Sequence, residues 1–162
     1  GVPRVSSVDP FNGGRAMSGE EKVIEAQFQA EIMLCIGSLD YVRCWRQNAG
    51  GVTFERRGKV QRFRSGAPNG ASDISGIVKP DGRRLEIEVK GPRGRFTEEQ
   101  EAWGEFITSC GGVYLPAKYK PQHTMNENVD RVKYALDVEI ARLRGTLVPS
   151  VSGAASPTGG SK

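Results

Sequence analysis

The sequence predicts a mixed α/β domain in which one central β-sheet is flanked by helices. Residues 18–36 and 128–144 place apolar side chains at the spacing of one helical face. Residues 84–90 instead alternate apolar and charged side chains, which is the pattern of a strand with two different faces. Because helices follow and precede strands along the chain, a single sheet with helices packed against it is the expected architecture.

Length, charge and residue types limit the classes to which the protein can belong. The 162 residues suffice for one core, and the net charge of +4 favours a polyanionic partner. No run of 18 apolar residues and no apolar signal core occurs, so we expect a cytoplasmic protein without a membrane span. Three cysteines without CxxC spacing are expected to be buried thiols, and the single histidine excludes zinc sites with several histidines. Any hydrolysis should therefore rest on carboxylates, lysine and a hard metal ion.

The first half of the chain begins with a loose arm over residues 1–17, which carry Gly, Pro and Ser without periodicity. Ser18 and Glu21 have the spacing of a capping box, so a helix is expected to begin there. It should run to Ile36 and end at Gly37, which suits the position after a helix. Three strands are then predicted, the last two as a hairpin: residues 41–46, 52–55 and 60–64.

The second half begins with a loop, followed by a strand over residues 73–78 and the turn Pro80-Asp81-Gly82 before strand 84–90. Thr97 should cap a second helix that ends at Gly111-Gly112. Its apolar positions have helical spacing: Trp103, Phe106, Ile107 and Cys110. The remaining predicted segments are a strand at 113–115, a third helix at 128–144 and a disordered tail at 146–162.

Two strands joined by a tight turn carry the most informative charged residues. In an isolated strand, Glu88-Val89-Lys90 would most simply face water. Asp73 changes this expectation, because antiparallel pairing through the turn would bring it close to Glu88 and Lys90. Two converging carboxylates repel each other unless a cation joins them, and Mg²⁺ is usually bound by one or two carboxylates. These residues therefore predict a divalent-metal site.

Two helices offer further candidates for the same site. Glu25 shares the apolar face of the first helix, where a carboxylate needs a partner, although it can also reach solvent from the helix edge. Glu21 and Glu31 are its competitors. Gln100 lies in the first turn of the second helix, where it can complete a capping box with Thr97, aim at an anion, or do both.

Five segments appear in a characteristic order: Glu25, Arg46-Gln47-Asn48, Gly70-Ala71-Ser72-Asp73, Glu88-Val89-Lys90 and Gln100. As an ordered set they resemble the VRR-NUC family, a branch of the PD-(D/E)XK nuclease superfamily, over about residues 21–115. The resemblance implies a restriction-endonuclease-like core and a metal-dependent deoxyribonuclease. It also implies that Asp73, Glu88 and the Val89 carbonyl ligate Mg²⁺ or Mn²⁺, and that Glu25 completes or water-bridges the metal site.

The same resemblance gives Lys90 the role of serving the nucleophile and Gln100 that of positioning it or the phosphate. One departure is Ala71-Ser72 directly before Asp73, where family members often have a second Gly or Pro. Stand-alone family members are associated with homodimers that act on branched DNA. The nuclease-like domain then spans residues 18–120, and the helical segment 121–145 packs on this domain or on a twin subunit.

Basic residues cluster on the hairpin and after the strand that ends at Lys90. Such side chains are usually solvated loop charges, but next to a metal site they suit phosphate contacts. The candidate DNA-binding residues are Arg46, Asn48, Arg56, Arg57, Lys59, Arg62, Arg93 and Arg95. Trp45 and Trp103 are assigned to core packing in preference to base stacking.

Three functions compete at this point. The first is a Mg²⁺-dependent, structure-specific endonuclease, such as a phage Holliday-junction or flap nuclease, acting on DNA at the nucleoid or in a phage-infected bacterium. The second is a DNA-binding module that uses the same fold without catalysis. The third is a sequence-specific restriction enzyme, for which the chain leaves little room for base-contacting segments.

Overall fold

The computed structural model describes residues 18–47 and 50–146. The helices and strands in chain order are α1 (Gly19–Gly37), β1 (Val42–Arg46), β2 (Gly50–Arg56), β3 (Lys59–Ser65), β4 (Ile74–Val78), β5 (Arg83–Lys90), α2 (Glu98–Ser109), β6 (Val113–Lys118) and α3 (Met125–Arg144). The predicted arm and all of the predicted tail except Thr146 lie outside the described residues.

The main sheet has four strands in the order β1-β4-β5-β6. The first two neighbouring pairs are antiparallel and β5 pairs with β6 in parallel, so the sheet is mixed. Helix α2 connects the two parallel strands, as such a connection requires. Strands β2 and β3 form a separate antiparallel hairpin. The fold is therefore mixed α/β, with one principal sheet flanked by helices.

The two faces of the sheet are covered to different extents. One face packs against α1 and α3, and its β5 residues Leu85, Ile87 and Val89 are buried in the hydrophobic core. The other face carries Glu86 and Glu88 on β5 and is covered by α2, which contacts β5 and β6. Since α2 lies over this half of the sheet, the β1–β4 half of the same face is left more open, with Ile77 46% exposed.

Each helix begins with a capping box, in which an N-cap hydroxyl and a side chain three residues later each bind the other's backbone N–H. The pairs are Ser18 with Glu21, Thr97 with Gln100, and Thr124 with Glu127. The third pair starts α3 three residues before the predicted position. Helix α1 ends at Gly37 as predicted, but Gly37 is its last residue and not the residue after it: Ser38 caps the helix in a right-handed conformation, with its hydroxyl donating to the Cys35 carbonyl.

Helix α3 packs on its own domain through α1 and β6. Its stripe of apolar residues belongs to the same core as the sheet: Val129, Val132, Leu136 and Ile140. Tyr41, just before β1, donates a hydrogen bond of 2.7 Å to Asp137 and ties the helix to the start of the sheet. Within the described part of the chain, every helix is too short or too polar to cross a membrane.

The predicted apolar stripe of α2 was wrong in part, because only some of its residues face the sheet. Ile107 is buried, but Phe106 is 56% exposed and Cys110 is exposed. Helix α2 approaches the sheet closely at Gly104, where a Cβ atom would lie 2.5 Å from the Tyr114 ring. The expectation of buried thiols also fails, since Cys35 and Cys44 are only partly buried.

Candidate metal centre

Asp73 and Glu88 meet where β4 begins and β5 ends. Ile74 pairs with Ile87, so the next pair outward along the two antiparallel strands is Asp73 and Glu88. Asp73 Oδ2 accepts a hydrogen bond of 2.8 Å from the backbone N–H of Val89. The structure thus brings together the two carboxylates and the Glu-Val-Lys segment singled out in the sequence.

Glu88 is 1% exposed, and its two carboxylate oxygens have different surroundings. Oε1 lies 2.7 Å from the Lys90 ammonium and also accepts a short hydrogen bond from Gln100 Nε2. Oε2 is buried and has no hydrogen-bond partner. A buried carboxylate oxygen without a partner carries a large desolvation cost, and such groups require an explanation.

The pKa of Glu88 is raised to about 7, chiefly by burial; the negative charges of Asp73 and Glu25 also raise it, and the hydrogen bond and charge of Lys90 lower it. Glu88 is therefore an acid that ionises near neutral pH instead of near pH 4.5. A bound cation would remove the repulsion and favour the ionised form.

Glu25 approaches the same region from α1. Its Oε2 accepts a hydrogen bond of 2.6 Å from the backbone N–H of Gly91, the residue after β5. A Cβ atom at Gly91 would lie 3.3 Å from this same oxygen, so glycine allows the helix and the strand end to come this close. Its competitor Glu21 is used in the capping box and in an ion pair of 2.6 Å with Arg93.

Gln100 completes the predicted capping box and also directs its side-chain amide at the Glu88 carboxylate. Its side-chain Oε1 accepts from the Thr97 backbone N–H at 2.9 Å and so completes the capping box of α2. Its Nε2 donates to Glu88 Oε1. The amide therefore fixes the start of the helix and the orientation of the buried carboxylate at the same time.

The residues present fit one divalent cation held by few protein ligands. Within residues 18–47 and 50–146, no three or more His, Cys, Asp or Glu side chains are grouped so that they could enclose a metal ion. Mg²⁺ commonly takes one or two carboxylates and completes its shell with water and phosphate oxygens. Glu88 Oε2 supplies a buried oxygen in need of a positive partner, and Asp73 and Glu25 add negative charge.

No family model matches the sequence, and no match to it is found among curated proteins or solved structures. The arrangement of its own side chains is therefore the only indication here of what this centre can do.

The predicted DNA-binding residues occupy several places. Arg46 is exposed at the end of β1, and Arg95 is exposed in the loop between β5 and α2. Three lie exposed at the hairpin tip: Arg56, Arg57 and Lys59. Arg93 is exposed but pairs with Glu21. Asn48 and the side chain of Arg62 lie outside what the structure describes.

Sequence reasoning missed a second buried acid beside the first. Glu86 is fully buried, and its Oε1 accepts from Ser75 at 2.9 Å and from Arg84 at 2.7 Å. Its Oε2 accepts from the Trp103 indole N–H at 3.4 Å. The alternation of Glu86 with Glu88 on one face was visible in the sequence, but the partners come from β4 and α2. Both oxygens of Glu86 are satisfied, which gives this acid a structural role.

The raised pKa of Glu88 predicts a pH-dependent stability in metal-free buffer. A folded-state pKa of about 7, above the unfolded value of 4.5, means that the protein is most stable below pH 4.5 with respect to this group and loses stability as pH rises through 7. Relative to Glu88→Gln, the wild-type free energy of unfolding should fall by about 3 kcal/mol between pH 4.5 and pH 8.5. Denaturant titrations of both proteins check this, and a constant difference across the range would contradict it.

Proposed function

We propose that the protein is a divalent-metal-dependent DNA endonuclease with a PD-(D/E)XK core of the VRR-NUC type. The observation that carries the proposal is the buried Glu88 with its partnerless oxygen, opposite Asp73 and two residues before Lys90. The order of elements supports it, because the two acids and the lysine lie on neighbouring antiparallel strands followed by a helix that carries Gln100. The mixed sheet flanked by helices is compatible with such a core.

The chemistry follows from what each side chain can do beside a phosphodiester. Mg²⁺ or Mn²⁺, held by Asp73, Glu88 and the Val89 carbonyl, would stabilise the charge that develops on the phosphate. Lys90 is buried on most of its surface and held by Glu88, and in this proposal its ammonium would orient and polarise the attacking water. Glu25 adds negative charge at the strand end.

Gln100 contributes by holding Glu88 and the start of α2 in a fixed relation. A carboxylate that must bind a cation benefits from a fixed orientation, because no reorganisation is then needed when the ion arrives. Tyr114 supports this arrangement from β6, since its hydroxyl donates to the Gln100 carbonyl at 3.3 Å.

The β2–β3 hairpin supports DNA as the polyanion. Its exposed tip carries Arg56, Arg57 and Lys59. Arg57 and Gly58 adopt positive φ angles of 55° and 71° in the tight turn at this tip. A two-stranded ribbon with a cationic tip suits contact with phosphates along a groove, and such contacts weaken as salt rises.

The substrate that we propose is branched or otherwise structured DNA, such as a Holliday junction or a flap, with recognition by shape. The basic side chains named above suit phosphate contacts, which carry no sequence information, so sequence-specific cleavage has less support. A DNA-binding module without catalysis is the remaining alternative. It does not account for a buried acid that ionises near neutral pH beside a lysine.

The decisive experiment incubates the protein with a four-way junction, a flap and a linear duplex of the same sequence. Cleavage is expected with Mg²⁺ or Mn²⁺. It should be absent with a chelator and lost in the Asp73→Ala variant. Asp40→Ala, which removes an exposed carboxylate in the loop after α1, is the matched control and should cleave normally. Activity that persists in chelator or in Asp73→Ala would overturn the proposal, and discrete bands from a long plasmid would favour a restriction enzyme.

A further inference from the structure

Trp45 is not a core residue. It is 40% exposed in β1, and its assignment to core packing from the sequence was wrong. Trp45 pairs with Ser75, and the chain of paired residues continues to Glu86, so Trp45 lies on the same face of the sheet as Glu86 and Glu88. It is exposed because α2, which covers this face, lies over β5 and β6 and not over β1.

The indole is held in place from one side. The Arg84 guanidinium lies 5.7 Å from the centre of the Trp45 ring, in the range of a cation–π contact. That guanidinium is in turn fixed by hydrogen bonds to Glu86 at 2.7 Å and to Ser75 at 3.2 Å. A ring supported by a fixed network loses little conformational entropy when a flat partner stacks against it.

The position of Trp45 relative to the metal centre follows from the strand register. Trp45 of β1 pairs with Ser75 of the neighbouring strand β4, and Ser75 lies two residues after Asp73 in the chain. Strand spacing then places the Cα atoms of Trp45 and Asp73 about 8 Å apart. At a rise of roughly 3.4 Å per stacked nucleotide, this distance corresponds to two or three nucleotides. Arg43, two residues before Trp45 on the same face, is exposed, and its cationic side chain suits contact with a phosphate backbone.

We infer that Trp45 is a stacking platform for an unpaired base two or three nucleotides from the cleaved phosphate. The inference rests on the proposed function and narrows its substrate to DNA with single-stranded nucleotides beside the cleavage site. Every base has an aromatic face, so such a platform holds a single strand without reading its sequence. A fully paired duplex keeps its bases stacked inside the helix and offers no base to Trp45.

The test measures binding without cleavage, in the presence of a chelator, to an oligo(dT) single strand and to a blunt duplex of equal length. Trp45→Ala should weaken binding of the single strand by about 5- to 100-fold. Binding of the duplex should change little, and Trp45→Phe should keep most of the affinity for the single strand. Phe106→Ala, which removes another exposed aromatic ring from α2, is the matched control and should leave both affinities nearly unchanged.

Fluorescence provides a second measurement. The chain has two tryptophans, so Trp103→Phe leaves Trp45 as the sole indole. Oligo(dT) should quench its emission if a base stacks on the ring. The inference would be overturned if Trp45→Ala weakened binding of single strand and duplex equally, or weakened neither, or if oligo(dT) did not quench the emission. A Trp45→Ala protein that differed from wild type only in self-association would also overturn it. Quenching without metal-dependent cleavage would refute the proposed function alone, and cleavage independent of Trp45 would refute the platform alone.

Discussion

Replacing Lys90 by alanine should lower the rate of DNA cleavage by about 10²- to 10⁴-fold, the effect typical of a group that acts on the nucleophile or on developing charge. Lys90 is 15% exposed, and its Nζ lies 2.7 Å from Glu88 Oε1 and 6.0 Å from the centre of the Phe96 ring. These contacts hold the Lys90 ammonium beside the Glu88 carboxylate in the candidate metal centre. Single-turnover kinetics on a branched substrate with saturating Mg²⁺ measures the rate of the chemical step.

Lys118→Ala is the control for this substitution. Lys118 pairs with Lys90 across the parallel strands, but it is exposed. The Lys118→Ala substitution therefore removes a positive charge from the neighbouring strand and leaves the contacts of Glu88 unchanged. We expect it to alter KM and leave kcat nearly unchanged. If the two alanine variants lost activity to the same degree, Lys90 would act as a general phosphate contact and not on the nucleophile.

Local sequence signals predicted the framework of the site well. The Pro80-Asp81-Gly82 turn joins two strands whose register follows from its short length, and this register places Asp73 opposite Glu88. The capping box at Thr97 fixed the first turn of α2 and with it the position of Gln100. Both signals are local, because a tight turn and a helix cap depend on residues only a few positions apart.

The features that the sequence failed to predict depend on how the helices pack on the sheet. Helical spacing assigned Phe106 to the apolar positions of α2, but it could not show that α2 covers only part of the sheet. Phe106 and Trp45 are exposed for this reason. Arg93 was treated as a free cation, whereas in the fold it pairs with Glu21 from a helix more than 70 positions away in the chain. No local pattern encodes these relations, since they are properties of tertiary packing.

The comparison of Glu86 with Glu88 separates a structural acid from a candidate functional one. Both are buried and lie on one face of β5, and both occupy equivalent positions in the alternating sequence pattern of this strand. Glu86 has a hydrogen-bond donor at each oxygen, whereas Glu88 has its donors on Oε1 and none on Oε2. The unsatisfied oxygen, and not the mere presence of a buried carboxylate, is therefore what makes Glu88 the candidate for binding a cation.

Gly70→Ala should lower the free energy of unfolding by about 2–5 kcal/mol and impair cleavage as well. Gly70 has a φ angle of 79°, which side-chain-bearing residues rarely adopt. A Cβ atom here would lie 2.2 Å from the backbone oxygen of Glu99, so the loop and the start of α2 would have to separate. That movement would shift Asp73 and Gln100 relative to Glu88, and both ends of the centre would be displaced.

The Gly82→Ala variant separates the effect of backbone strain from the effect of the steric clash between residue 70 and Glu99. Gly82 has a similar φ angle of 70°, but apart from its own residue and its two chain neighbours no heavy atom lies within 4 Å of the position of its Cβ. Its substitution should cost about 1 kcal/mol, the penalty of the left-handed conformation alone, and should leave cleavage intact. Urea denaturation with single-turnover kinetics on both variants measures the difference. If Gly70→Ala proved no worse than Gly82→Ala, close contact between the Gly70 loop and α2 would not be what holds Asp73 and Gln100 in place.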